Sequence, residues 1–182
     1  MRKEFMIVVL VVLSACSAKS YEEQLKSYVD DPGNKITQTI TVGDVQMVTK
    51  YLPSYYRELA GNNKNASGDQ DGYCYFDVKL NTKKPEKPAK EKLLYLDFDM
   101  QKDFALLVNG HDSIAPAICQ KIENGIAGCY EYDVAFEKSK NEEWKEFTLV
   151  YNDKIFSIGS VSFVFGNNEL KKIPKLKEKV VQ

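Results

Sequence analysis

Residues 73–80, YCYFDVKL, alternate without a break. Cys74, Phe76, Val78 and Leu80 fall on one side, and Tyr73, Tyr75, Asp77 and Lys79 on the other. Only an extended strand with one buried face satisfies a period of two. A strand with an apolar face needs partners, and the chain supplies them. Residues 36–52 carry β-branched residues that alternate around Gly43-Asp44, the pattern of a hairpin. Residues 104–108 read as a strand closed by Asn109-Gly110. Residues 117–122 and 128–136 form a second hairpin pattern around Asn124-Gly125. Residues 144–151 and 158–165 form a third, joined by Asn152-Asp153-Lys154. Residues 53–61 suit a short helix that opens on Pro53 and ends on Gly61, and residues 93–100 fit a helical turn and a strand equally. There is no alternation of strand and helix. The expectation is an all-β fold with minor α, an antiparallel β-sandwich of immunoglobulin-like or transthyretin-like shape, with a half-open barrel as the alternative.

The first residues serve a different purpose. Arg2 and Lys3 precede an apolar run from Phe5 to Leu13, and Leu13-Ser14-Ala15-Cys16 closes it with small residues before a cysteine. As a helix the run would reach about 14 Å, far short of the roughly 30 Å hydrocarbon core, so it suits a cleaved signal rather than a membrane span. Leu13-Ser14-Ala15-Cys16 resembles the lipobox of bacterial lipoproteins. The resemblance implies diacylglyceryl on the Cys16 thiol, cleavage before Cys16 and an outer-membrane address, because Ser17 stands where an Asp favours inner-membrane retention in the enterobacterial sorting pattern. Several acyl chains at ~0.8 kcal/mol per buried methylene make such an anchor effectively permanent. The expected organisation is a signal peptide over 1–15, a lipidated tether over 16–35 with room for a short helix at Tyr21, Leu25, Tyr28 and Val29, and the sandwich with a basic tail over 36–182.

Composition narrows the function. Twenty-five basic side chains stand against 26 acidic ones, which argues against a nucleic-acid binder. Three cysteines follow Cys16, an odd count that allows one disulfide within a monomer. Cys119 and Cys129 are equidistant from Asn124, so a hairpin centred there predicts a Cys119–Cys129 bond, with Cys74 left as a free, buried and inert thiol.

The remaining candidates are surfaces. Tyr73 and Tyr75, on the outward side of their strand, form a candidate binding surface, weighed against simple packing under a neighbouring element. Asn63, Asn65, Ser67, Asp69 and Asp71 place oxygens at alternate positions, yet the EF-hand pattern fails because its glutamate position falls on Cys74, so no metal site is assigned. Asp112-Ser113-Ile114 resembles the Asp-Ser/Thr-aliphatic acceptor of O-glycosylation in Bacteroidota, which implies a glycan on Ser113 if that side chain is exposed. The lysines of residues 81–92 offer weak contact with an anionic surface, diluted by Glu86 and Glu91.

No catalytic set emerges. His111 is the sole imidazole and sits in a turn; Asp97 and Asp99 are carboxylates without a visible cleft; and no nucleophile elbow, phosphate loop or paired CxxC occurs. The expectation is a non-enzymatic lipoprotein without cofactor, held to the membrane and binding another envelope protein as a tether or assembly subunit. The alternative is a surface binder of glycan or host ligand, with a hydrolase third.

Overall fold

The computed structural model describes residues 20–53, 56, 72–83, 88–110, 112–138 and 144–174. Their nine strands are β1 (Thr37–Val42), β2 (Val45–Leu52), β3 (Tyr73–Thr82), β4 (Phe104–Val108), β5 (Asp112–Ile114), β6 (Ile118–Ile122), β7 (Cys129–Glu137), β8 (Glu146–Asn152) and β9 (Ser160–Gly166). They form two antiparallel sheets, a five-stranded one in the order β1-β2-β3-β7-β6 and a four-stranded one in the order β5-β4-β8-β9. The fold is an antiparallel β-sandwich. Helices α1 (Tyr21–Asp30), α2 (Lys90–Phe98) and the single turn α3 (Asn167–Leu170) accompany it.

Alternation carries the packing. On β3, Cys74, Phe76, Val78 and Leu80 are buried; facing them from the other sheet are Leu106 and Val108 of β4, Phe147, Leu149 and Tyr151 of β8, and Phe163 and Phe165 of β9. Phe76 meets Phe136 and Phe147 edge-on at 5.9 Å each, and Phe147 stacks on Phe165 at 5.5 Å. Such pairs add about 0.5–1.5 kcal/mol each beyond their area burial. Thr49 is the exception: its hydroxyl lies in this core without a hydrogen-bond partner.

The 43–44 turn is as expected, with Val42 facing Val45 and Gly43 at φ 58°, a left-handed value that glycine adopts without strain. The second hairpin differs. Ile122 pairs with Glu131 and Cys119 with Val134, while Cys129 faces Asn81 of β3. The predicted Cys119–Cys129 bond is therefore corrected: all three cysteines 74, 119 and 129 are free. The cause is the turn, whose residues 123–128 contain two left-handed glycines, Gly125 and Gly128. Asn124 holds it by accepting from the Ile126 N–H and donating to Glu131. The hairpin axis thus moves beyond Asn124 by an odd register shift, which puts the two thiols on opposite faces of the sheet.

Residues read as a tether are docked instead. Ser20 caps α1 in a reciprocal box with Glu23, and Leu25 and Val29 bury fully beside Ile36. Residues 93–100 resolve as the end of α2 followed by a 3-10 turn, Met100–Asp103. The helix expected over 53–61 falls, except for Pro53 and Tyr56, outside the described residues, as do the 63–71 oxygen donors, His111 and Cys16.

The registers give the sandwich two distinct ends. At one lie α1, the start of β1, the end of β2, Cys74 and α3. At the other lie α2, the β1–β2 turn, the end of β3, the start of β7 and the β8–β9 loop.

Candidate functional site

The α2 end holds a pocket of about 430 Å³, within the roughly 300–1,000 Å³ of ligand sites. Val45, Leu96 and Tyr130 line it together with Ile155 and Phe156 of the β8–β9 loop, and Lys92, Asp44, Thr82 and Ser157 supply polar groups. Tyr130 and Phe156 pack ring to ring at 5.5 Å. Lys92 reaches across from α2 and donates to the Ile155 carbonyl at 3.1 Å.

The loop is shaped by one side chain. Asp153 accepts from the N–H groups of Ile155, Phe156 and Ile158 at 2.8–3.0 Å and from the Tyr151 hydroxyl at 2.9 Å. Burial works against its charge, but these donors outweigh it and hold the carboxyl below the usual carboxylate range. The same grip keeps Ser157 at φ 60°, a left-handed conformation that costs a non-glycine residue about 1–2 kcal/mol. That strain sits on the rim of the pocket.

A second carboxylate fastens the loop to α2. Asp103, in the 3-10 turn, is fully buried; it accepts from the Tyr95 hydroxyl at 2.6 Å and from the Lys154 ammonium at 2.9 Å. The Lys154 ammonium also donates to the Tyr95 hydroxyl at 3.3 Å, and its bonds, first to Asp103 and then to Tyr95, raise its pKa above the ordinary value. Burial first, and then Asp103, push the Cys119 thiol up to about 12, so it is no thiolate at neutral pH. The arrangement clamps three chain segments around an apolar recess with a cationic and an anionic group beside it, which is equipment for holding an amphipathic group.

The sequence-derived candidates lie elsewhere. Tyr73 and Tyr75 stand half-buried on the outer face of the five-stranded sheet, rings 5.9 Å apart. Tyr73 also borders a smaller cavity of about 220 Å³ at the α1 end, with Tyr51, Cys74, Lys138 and Trp144. Cys74 is buried and its thiol pushed up by desolvation, as an inert core residue requires. Ser113 is exposed on the three-residue strand β5, so burial does not bar its modification. Asp97 is engaged by Lys121 at 2.7 Å. Among the described residues no three His, Cys, Asp or Glu side chains gather as a metal site, and no helix is long and apolar enough to cross a membrane.

Sequence reasoning did not find the pocket. Tyr130 was visible as one residue of an alternating face and Asp153 as a turn former, whose capacity to bond its own following backbone was the available signal. The convergence of α2 and the β8–β9 loop had none.

No protein-family model matches the chain, and no curated protein matches it. Among solved structures, the chain is similar to a DUF4426 family protein from Pseudomonas aeruginosa PAO1. Identity is 12%, the match covers 72% of this chain and 92% of that chain, and the TM-score is 0.41.

Proposed function

We propose that this chain is a bacterial lipoprotein, carried on the outer membrane through Cys16, whose sandwich binds another envelope protein without chemistry of its own. The observation that supports the reading is the polarity of the fold. Ser20 opens α1 at one end of the sandwich, and the pocket lies at the other. Four residues from Cys16 to Ser20 span at most about 14 Å when extended. A domain so tethered holds its α1 end near the bilayer and presents the α2 pocket away from it, where a partner approaches. The partner inserts an apolar side chain between Tyr130 and Leu96, with a polar group near Lys92.

A second reading, surface binding of glycan or host ligand, draws on the Tyr73–Tyr75 pair, because adjacent aromatic rings suit sugar faces. One experiment separates the two. A photo-crosslinking amino acid is placed at Phe156 or at Tyr75 in intact cells, in native and Cys16→Ala backgrounds. Crosslinking from Phe156 to one envelope protein, lost with Cys16→Ala, is the expected result. Crosslinking from Tyr75 alone moves recognition to the sheet face, and protease cleavage of the domain on intact cells then supports display outside.

A further inference from the structure

Four strands form sheet edges: β1 and β6 in one sheet, β5 and β9 in the other. An edge is a row of unpaired backbone groups that invites another strand, and proteins blunt it with charge, proline, shortness or cover. Three of these are blunted. β5 has three residues and runs into Pro116. β6 carries Lys121, which faces Tyr132 on the core side and pairs with Asp97 at 2.7 Å. β9 has its Val164 carbonyl engaged at 2.8 Å by the side chain of Gln38, which reaches over from β1 and leaves β1's own outward backbone groups untouched. β1, six residues of sequence TQTITV, has no charge, no proline and an unbroken register with β2.

The hydrogen-bond phase shows which groups β1 leaves open. The Tyr51 N–H donates to the Ile36 carbonyl at 2.9 Å. Bonded and non-bonded pairs alternate along an antiparallel ladder, so Gln38, Ile40 and Val42 turn their backbone groups to β2 while Thr37, Thr39 and Thr41 turn theirs outward. Among the described residues, none bonds to those outward groups, and Thr39 and Thr41 are exposed.

We propose that β1 pairs antiparallel with β1 of a second copy of this chain, about a two-fold axis at Thr39. The open groups are symmetric about that residue: Thr39 meets its own copy and Thr37 meets Thr41, which gives about six backbone hydrogen bonds at two per facing pair. The three threonines form one ladder on the outer face, and Gln38 faces Ile40 on the other. No like charges meet. A second copy brings an edge of the same length, the same phase and the same lack of charge. The interface is small against the roughly 800 Å² per partner of a stable complex, so the dimer is weak and concentration-dependent. Its two-fold turns the α1 ends away from each other, so it joins copies held on facing surfaces rather than side by side. The pairing itself does not depend on the lipid.

The test is sedimentation of the purified full chain in detergent over a concentration series, for the native protein, Thr39→Pro and Thr39→Lys. Thr39→Pro removes a donor that the β1–β2 ladder does not use. Thr39→Lys keeps that donor, sets like charges opposite each other across the axis, and serves as the variant whose fold is checked by its thermal midpoint. The expected result is a monomer–dimer equilibrium that both variants weaken about tenfold or more. A native chain that stays monomeric, its edge left to a strand of another protein, overturns the proposal, and so does a dimer that survives Thr39→Lys. The state of Cys16, read by mass spectrometry of the same sample, judges the lipoprotein reading separately.

Discussion

The two ends of the sandwich are closed by different physics. At the α1 end, Leu25, Val29 and Ile36 are wholly buried, with Tyr21, Tyr28, Tyr51, Leu170 and Ile173 packed around them. The tyrosines there send their hydroxyls to main-chain carbonyls, Tyr21 to Pro174 and Tyr28 to Glu169. At the α2 end, two carboxylates, Asp103 and Asp153, organise the closure. Apolar side chains are free to slide until space is filled, whereas a carboxylate fixes the distance and angle of each donor it holds. The first kind of closure makes a lid, and the second leaves a recess of defined shape.

Removing apolar volume from the lid breaks the comparison most directly. Leu25→Ala is expected to cost about 2–5 kcal/mol in chemical denaturation, since it leaves a cavity under α1. Phe156→Ala at the other end, where the ring is half-exposed, should cost less. Equal losses at both ends would show that the α2 end is closed by apolar packing after all.

Next in size is the ion pair. Lys154→Met strands the buried Asp103 carboxylate with Tyr95 as its remaining donor, whereas Asp103→Asn releases an ammonium that reaches solvent. The thermal midpoint should fall further for Lys154→Met than for Asp103→Asn. The reverse order would mean that the pair matters for its charge and not for burial.

The smallest effects are those of pH, and two aspartates should move in opposite directions. Asp153 titrates below its ordinary value in the fold, so its stabilising contribution is present above the unfolded pKa, about 3.9, and is lost as pH falls through the folded one. Asp77, opposite Asp133 on the outer sheet face, titrates above its ordinary value because burial, helped by Glu131 and Asp133, outweighs Lys79 and Lys50. Its ionised form therefore costs stability at neutral pH, a cost relieved as pH falls through the raised value. Asp153→Asn should lower, and Asp77→Asn should raise, the neutral-pH thermal midpoint, and both differences should shrink in acid. Differences of the same sign would refute the assignment.

Much of the fold could be read from residues that alternate. Tyr73, Phe76 and Leu80 announced β3, and Gly43 its neighbouring hairpin, because burial on one face of a strand imposes a period of two on the chain itself. Cys119 and Cys129 misled for a physical reason: hairpin register depends on how many residues the turn absorbs, and Asn124, Gly125 and Gly128 absorb them unequally. Leu25 and Val29 showed helical spacing, but spacing does not say what a helix docks against.

By itself the sequence determined every described strand but β5, the antiparallel class, the burial of Cys74 and the resemblance of residues 13–16 to a lipobox, since each is local chemistry or local periodicity. Tertiary structure decided what depends on meetings between distant segments. Tyr95 and Lys154 converge on Asp103, Phe156 packs over Tyr130, and α1 closes one end while β1 keeps an open edge. Those meetings are set by how two sheets register and pack, a long-range condition that no window of sequence contains.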